Sequence, residues 1–208
     1  RKPLVLVVDD TDASRYLAAR VLRAARMDVI EAGTGEMALR LVSERRPDLV
    51  LLDIKLPDLS GLEVCRRIGA NPSYQRLAVL HVSSTYITPE IEFESQESGA
   101  DIYLAQPVEP RELVSVVRAL LRMRELERDL LQSEERLRLA TEAGEIGTWD
   151  INLASGEAVF DHQMQRLLGY PPKAEARSWD AWIDRIHLDD VAGVVEAFNA
   201  AKSGQSLF

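Results

Sequence analysis

The chain has 208 residues, 46% of them hydrophobic, with 25 basic against 34 acidic side chains and a net charge of -9. One or two domains of about 150 residues fit that length, and an acidic surface without a basic cluster argues against phosphate backbones and anionic lipid heads as partners. A single cysteine, Cys65, rules out an intrachain disulfide, and three scattered histidines offer no metal-ligand spacing.

The first element expected is a strand, the aliphatic run Leu4 to Val8. Leu49 to Leu52 and Leu77 to Val82, interrupted only by His81, are runs of the same kind and suit strands buried on both faces. Helical stripes lie between them: Ala18, Val21, Leu22 and Ala25, then Met37, Ala38, Leu41 and Val42, then Leu62, Cys65 and Ile68. Val29 to Ala32 reads as a short second strand, Asp101 to Leu104 as a fifth, and Thr88 to Ser98 as the helix between the fourth and fifth. Alternation of this kind predicts a parallel α/β sheet covered on both faces, with right-handed crossovers.

After Pro110 the pattern changes. Val116, Ala119, Met123, Leu126, Leu130, Ser133, Leu137 and Ala140 are spaced alternately by three and four, the seam of a left-handed coiled coil, and charged residues cover the other faces. A helix of about 30 residues is too long to pack on one small domain. The plainer alternative is the last amphipathic helix of the domain, overrunning slightly. Gly144 and Gly147 end the helix, Thr148 to Leu153 alternates like a half-buried strand, Ser155-Gly156 turns, and Ala158 to Phe160 makes a hairpin partner. Gln163 to Leu168, Trp179 to Ile186 and Val191 to Lys202 are expected to be helical. A two-stranded hairpin with small helices buries little by itself, so this segment reads as incomplete. The chain begins at Arg1 and stops at Phe208, which suggests a piece of something longer.

In open parallel sheets, ligands sit beyond the carboxyl ends of the strands. Asp9 and Asp10 follow the first run, Asp53 the third, Ser83 and Ser84 the fourth, and Gln106-Pro107 the fifth. Three carboxylates at one sheet edge repel each other unless a hard cation sits among them, and Mg²⁺ suits because it takes oxygen ligands and keeps waters for a phosphate. One carboxylate can then attack a phosphoryl group to give an aspartyl phosphate. Asp53, at the end of the central strand, is the nucleophile expected, with Asp9 and Asp10 holding the metal directly or through water. Taken alone, Asp9-Asp10 is far more often a helix-capping pair than a metal site.

The sequence here resembles the receiver (response-regulator) family: Val7-Val8-Asp9-Asp10, then Leu51-Leu52-Asp53-Ile54-Lys55-Leu56-Pro57-Asp58-Leu59-Ser60-Gly61, then Val82-Ser83-Ser84, then Gly99-Ala100-Asp101-Ile102-Tyr103-Leu104 before Gln106-Pro107. The resemblance covers residues 4 to about 121. It implies a flavodoxin-like, doubly wound five-stranded sheet, with Asp53 taking a phosphoryl from a phosphohistidine. Asp9, Asp10 and the Lys55 backbone carbonyl would surround Mg²⁺. Ser83 would be the hydroxyl that closes on the phosphoryl oxygen, and Tyr103 the aromatic that turns inward with it. The resemblance also implies a cis bond before Pro107. One position departs from the pattern: the lysine usual before that proline is Gln106, which exchanges a charge-assisted hydrogen bond for a weaker neutral one.

Residues 134 to 208 resemble the start of a PAS domain, through Arg138-Leu139-Ala140, Ile146-Gly147-Thr148-Trp149-Asp150, Leu167-Leu168-Gly169-Tyr170 and Ile186-His187-Leu188-Asp189-Asp190. Trp149, Trp179 and Trp182 read as core aromatics. Cys65 and His81 read as packed residues, and neither His162 nor His187 has the setting of a phosphorylatable kinase histidine. No glycine-rich nucleotide motif is present, so no kinase core is encoded here.

The organisation expected is therefore a receiver domain (1–121), an extended coiled-coil signalling helix (109–141) and a partial PAS-like domain (142–208). The function expected is phosphoacceptance in a phosphorelay. A histidine kinase or phosphotransfer protein would be the donor, a homodimer would form through the long helix, and a missing output domain would follow, a histidine kinase first and a diguanylate cyclase second. A receiver fold kept only as a dimerisation scaffold is the competing class. No apolar run approaches the roughly 18 residues of a membrane span, and no signal peptide or nucleic-acid patch is visible. The setting expected is cytoplasmic.

Overall fold

The computed structural model describes residues 1–74, 77–83, 97–152, 155, 157–170 and 182–203. The chain divides into two compact units, Arg1–Asp129 and Leu130–Phe208. Unit one carries strands β1 (Leu4–Val8), β2 (Asp28–Ala32), β3 (Leu49–Leu52), β4 (Ala78–Ser83) and β5 (Ile102–Ala105), all parallel, in the order β2-β1-β3-β4-β5. Helices α1 (Asp12–Ala24), α2 (Gly35–Arg45) and α3 (Gly61–Gly69) follow the first three strands, and α4 (Pro110–Ala143) follows the fifth. The helix expected over Thr88 to Ser98 lies almost wholly outside the described residues, as does Ser84.

Why the aliphatic runs become two-sided strands is visible in the core. Side chains alternate across a strand. Val5, Val7, Leu49, Leu51, Leu80 and Val82 therefore pack on one face, against Leu22 of α1 and Leu113, Val117 and Leu120 of α4. Leu6, Val8, Val50, Leu52 and Val79 pack on the other, against Ala38 and Val42 of α2 and Val64, Cys65 and Ile68 of α3. A strand polar on one side could not serve both layers.

Local chemistry fixes the helix starts. The Thr34 hydroxyl accepts from Met37 N–H and the Ser60 hydroxyl from Glu63 N–H, each satisfying one donor that a first turn leaves without a partner. Pro110 occupies the first position of α4, where a missing N–H is no loss. This helix runs 34 residues, or about 51 Å at 1.5 Å per residue. Its buried residues are Leu113, Val117 and Leu120, a stripe offset from the spaced seam. Of the seam residues, Met123, Leu126, Leu130 and Leu137 are exposed.

In unit two, β6 (Trp149–Ile151) and β7 (Ala158–Phe160) form the expected antiparallel hairpin, with Trp149 opposite Phe160. Helix α5 (His162–Leu167) follows, and α6 (Leu188–Lys202) starts three residues before the expected Val191, because the His187 side chain accepts from Asp189 N–H. Its small core is Ala158 and Phe160, with Ile151, Met164, Tyr170 and Trp182 around them. Trp149 stacks on Trp182 with ring centres 6.2 Å apart. Trp179 lies outside the described residues.

His81 is fully buried in β4, between Leu52 and Tyr103, and hydrogen-bonds the Gly61 backbone. Burial pushes its pKa down to about 4. The unfolded imidazole binds a proton below pH 6.5 and the folded one does not, so acid favours unfolding. Between pH 7 and pH 5 the sheet unit should lose about 2 kcal/mol of stability through this group. Urea melts of wild type and His81→Leu at the two pH values check this: the variant should lack that part of the pH dependence, and equal slopes would contradict it.

Candidate functional site

The strand order changes direction between β1 and β3. The crossover from β1 leads outward to β2, while the chain after β3 proceeds the other way to β4. Connections that diverge to opposite faces leave a crevice at the carboxyl ends of the two strands. Val8 pairs with Leu52, so Asp9 and Asp53 are the next residues on adjacent strands, which lie about 4.8 Å apart. Asp53 N–H donates to Val8 C=O at 2.9 Å, and Asp9 N–H to Ala32 C=O at 3.2 Å. The backbone ladder thus runs one residue past the strands and holds both aspartates.

Carboxylate oxygens of Asp9, Asp10 and Asp53 lie within 4.8 Å of one another. Asp9 is buried, Asp53 half-buried and Asp10 exposed. Burial raises the pKa of both Asp9 and Asp53, and neighbouring carboxylates add to the rise in each case. Backbone donors oppose it: Thr11 N–H reaches Asp9 Oδ1 at 2.8 Å, Lys55 N–H reaches Asp53 Oδ1 at 3.3 Å, and the Ile54 N–H adds to the latter. Partial desolvation with like-charge crowding is a state that a divalent cation relieves. All the donors are carboxylate oxygens, graded from the buried Asp9 to the exposed Asp10, which fits the preference of Mg²⁺ for a few carboxylates and several waters.

The other expected residues are placed as follows. Lys55 has an exposed side chain, and its backbone bonds Asp53. Ser83 ends β4, fully buried, and its carbonyl accepts from Gln106 N–H at 2.9 Å. The Gln106–Pro107 bond is cis, as the resemblance implied. Gln106 lines the same cavity as Asp9 and Asp53. Tyr103 lies half-buried in β5 opposite His81, and it is not among the residues lining that cavity.

Two residues with no role expected of them, Arg15 and, within the quoted motif, Asp58, hold the site's loops. Arg15 donates through Nη1 to the Asp9 carbonyl at 2.7 Å, pairs with Asp12, and lies 3.7 Å from Glu31 through Nε. A cation one turn into α1 therefore clamps the loop bearing Asp9 and Asp10. Asp58 accepts from Gly35 N–H at 2.8 Å and Glu36 N–H at 2.9 Å, tying the loop after Asp53 to the start of α2. Within that loop Gly61 comes so close that a Cβ there would fall 2.2 Å from the Asp53 carbonyl oxygen. The glycine was legible in the motif. Arg15 carries no periodic signal, and Asp58, although it stands in the same motif, meets the Gly35 and Glu36 amides only once the fold brings them to it.

A family model described as the response regulator receiver domain matches residues 5–118. The DNA-binding response regulator MtrA of Mycolicibacterium smegmatis is 40% identical over 121 residues, covering 58% of this chain and 51% of that protein. The alkaline phosphatase synthesis transcriptional regulatory protein PhoP of Bacillus subtilis is 34% identical over 122 residues, covering 59% of this chain and 50% of that protein. The chain therefore spans about half the length of these curated relatives. Among solved structures, a CheY-like receiver domain protein of Methanospirillum hungatei aligns with a TM-score of 0.58 at 28% identity, over 61% of this chain and 99% of that one. The beryllofluoride-activated receiver domain of RstA from Klebsiella pneumoniae aligns with a TM-score of 0.54 at 28% identity, over 57% and 98%.

Crowded carboxylates make a two-sided prediction. Without metal, Asp10→Asn should stabilise the chain by a few tenths to about 1 kcal/mol, since it removes repulsion. With Mg²⁺, wild type should gain stability as binding titrates, and the variant should gain much less. Thermal melts across a magnesium series read both effects, and a magnesium response unchanged in the variant would contradict the cluster's role.

Proposed function

The chain belongs to the response regulator receiver family, and from that premise we propose that Asp53 is its phosphoacceptor, loaded from the phosphohistidine of a kinase or phosphotransfer protein. The observation that carries this reading is the gathering of the Asp9, Asp10 and Asp53 carboxylates at the β1/β3 switch. A Mg²⁺ ion held by Asp9, Asp10, Asp53 and the Lys55 carbonyl would offset charge on the phosphoryl oxygens. An Asp53 oxygen attacks phosphorus, the P–N bond breaks, and the imidazole leaves with the bonding pair and takes a proton from solvent. Arg15 keeps the Asp9 loop fixed during the transfer, and the Lys55 N–H orients the Asp53 carboxylate. Ser83 closes on a phosphoryl oxygen, Tyr103 follows it inward, and the rearrangement reaches β5 and α4. Gln106 contributes a neutral donor there, so the acyl phosphate forms with a weaker closing contact.

Beyond residue 121 the reading continues with a coiled-coil homodimer through α4, a partial PAS-like sensor over 142–208, and a histidine-kinase output. Support for the dimer lies in the apolar side chains of Met123, Leu126, Leu130 and Leu137, exposed along one helix. The relatives' DNA-binding names make a transcriptional output the alternative for the parent protein. For the receiver itself, the second reading is an unphosphorylated scaffold, favoured by Gln106 alone.

Intact mass after acetyl phosphate and Mg²⁺ should show one added phosphoryl group on wild type and none on Asp53→Asn. No gain on wild type selects the scaffold. Sedimentation of the full chain should give a dimer that Leu126→Glu with Leu130→Glu converts to monomer; both positions are exposed, so the receiver core is untouched. A wild-type monomer at high concentration would remove the dimer.

A further inference from the structure

Every residue of β4 is buried, and His81 is the polar one set among its aliphatic side chains. Side chains alternate across a strand, so His81 shares the α3 face with Val79. Parallel register puts Leu52 of β3 on one side of it and Tyr103 of β5 on the other. Leu52 immediately precedes Asp53, so the imidazole stands on the strand next to the phosphoacceptor loop. Its hydrogen bond is to the Gly61 backbone. Gly61 N–H is already given to Ile54 C=O at 2.8 Å, so the ring N–H donates and the Gly61 carbonyl accepts.

The helix does not need that bond. Gly61 opens α3, where its carbonyl has the amide of Cys65, four residues on, for a partner. An aliphatic residue at position 81 would fill the strand without taking a polar ring out of water, which itself opposes folding. Burial keeps the imidazole neutral at ordinary pH, with its pKa pushed down to about 4. A neutral ring has one N–H to give, and this one gives it to Gly61. Gly61 in turn lies so close to the Asp53 carbonyl that no Cβ fits between them, and a Cβ would also meet Ile54 Cα at 2.9 Å.

We propose that His81 is a positioning residue of the phosphoryl site: through Gly61 it fixes the backbone of Asp53 and Ile54, and with it the direction in which the Asp53 carboxylate faces metal and phosphorus. This rests on the phosphoacceptor reading and adds to it a residue on the neighbouring strand that touches neither ion nor phosphoryl. Asp58 pins the loop to α2, and His81 holds the end of the same loop from within the sheet. The Ile54 and Lys55 amides that bond the Asp53 carboxylate belong to this stretch, so a shift of Gly61 displaces the carboxylate and its donors together. Because Tyr103 stands opposite on β5, the ring also lies between the acceptor loop and the aromatic proposed to turn inward.

The test compares three variants of the full chain. His81→Met keeps the volume and removes the donor, while His81→Asn and His81→Gln put an amide N–H near one or the other ring nitrogen. At pH 7 the methionine variant should melt in urea at or above the wild-type midpoint. It should nevertheless bind Mg²⁺ about fivefold more weakly by calorimetry and take up phosphoryl from acetyl phosphate about tenfold more slowly by intact mass, the range a single buried hydrogen bond supports. One of the two amide variants should recover both values to within about twofold of wild type, which a purely packed histidine gives no reason to expect. On wild type, where folding is not in question, nitrogen-15 NMR of labelled histidine should show one ring N–H protected from exchange that shifts when Mg²⁺ and beryllofluoride are added. A methionine variant equal to wild type in Mg²⁺ affinity and uptake, two amide variants as impaired as methionine, or a protected ring signal that does not move would each overturn the proposal. Wild type that takes up no phosphoryl sinks the phosphoacceptor reading instead, and the Mg²⁺ affinities of the variants then decide the role of His81 by themselves.

Discussion

Parallel pairing of β1 with β3 forces like charges together. Once Val8 lies opposite Leu52, the next residues on both strands are aspartates, and their carboxylates have a sheet edge on one side and two buried cores beneath them. Nothing in the backbone lets either aspartate turn away, because the Asp53 and Asp9 amides are themselves held by the adjoining strands. The molecule keeps this repulsion and surrounds it with ties. Arg15 clamps one loop, Asp58 pins the other to α2, and Gly61 admits an approach that no side chain would allow. A rigid cage around mutually repelling oxygens is preorganised for a divalent ion, and an ion so held makes a carboxylate usable against phosphorus.

Most of the sheet unit was legible in the sequence because its physics is local. A run of four or five aliphatic residues between helical stripes has few alternatives to a strand buried on both faces. The carboxylates were legible for a related reason, since each sits directly after such a run. Strand ends shifted by a residue in β2 and β5, where exposed residues such as Asp28 join the ladder through backbone bonds alone. Asp58 acts on backbone amides 22 and 23 residues away that only the fold brings near, and Arg15 acts on a carbonyl six residues back, which leaves no side-chain pattern. A reader of sequence sees an amphipathic helix and a loop acid.

Along α4 the sequence pattern and the packing diverge, and the divergence is informative. The spaced seam counted from Val116 onward does not coincide with the stripe that seats the helix on the sheet, which is Leu113, Val117 and Leu120. One helix thus carries two apolar faces: a short one consumed within the sheet unit, with Val116 packed at its border, and a longer one exposed on the single chain. Near where they meet, Arg124 bonds Asp101 at 2.5 Å and also Glu127, and Asp101 in turn accepts from Val79 N–H in β4. The departing helix is therefore tied to the β4–β5 edge, so a shift of β5 has a mechanical route into it. No helix among the described residues is long and apolar enough to cross a membrane.

The proposed chemistry turns on one bond, from an Asp53 oxygen to phosphorus. Borohydride reduces an acyl phosphate to the alcohol, so treating the chain with acetyl phosphate and Mg²⁺, quenching with borohydride and sequencing the peptides by mass reads the attachment point directly. Homoserine is expected at position 53 and aspartate elsewhere. Unreduced aspartate at position 53, or homoserine at Asp9 or Asp10 instead, would contradict it.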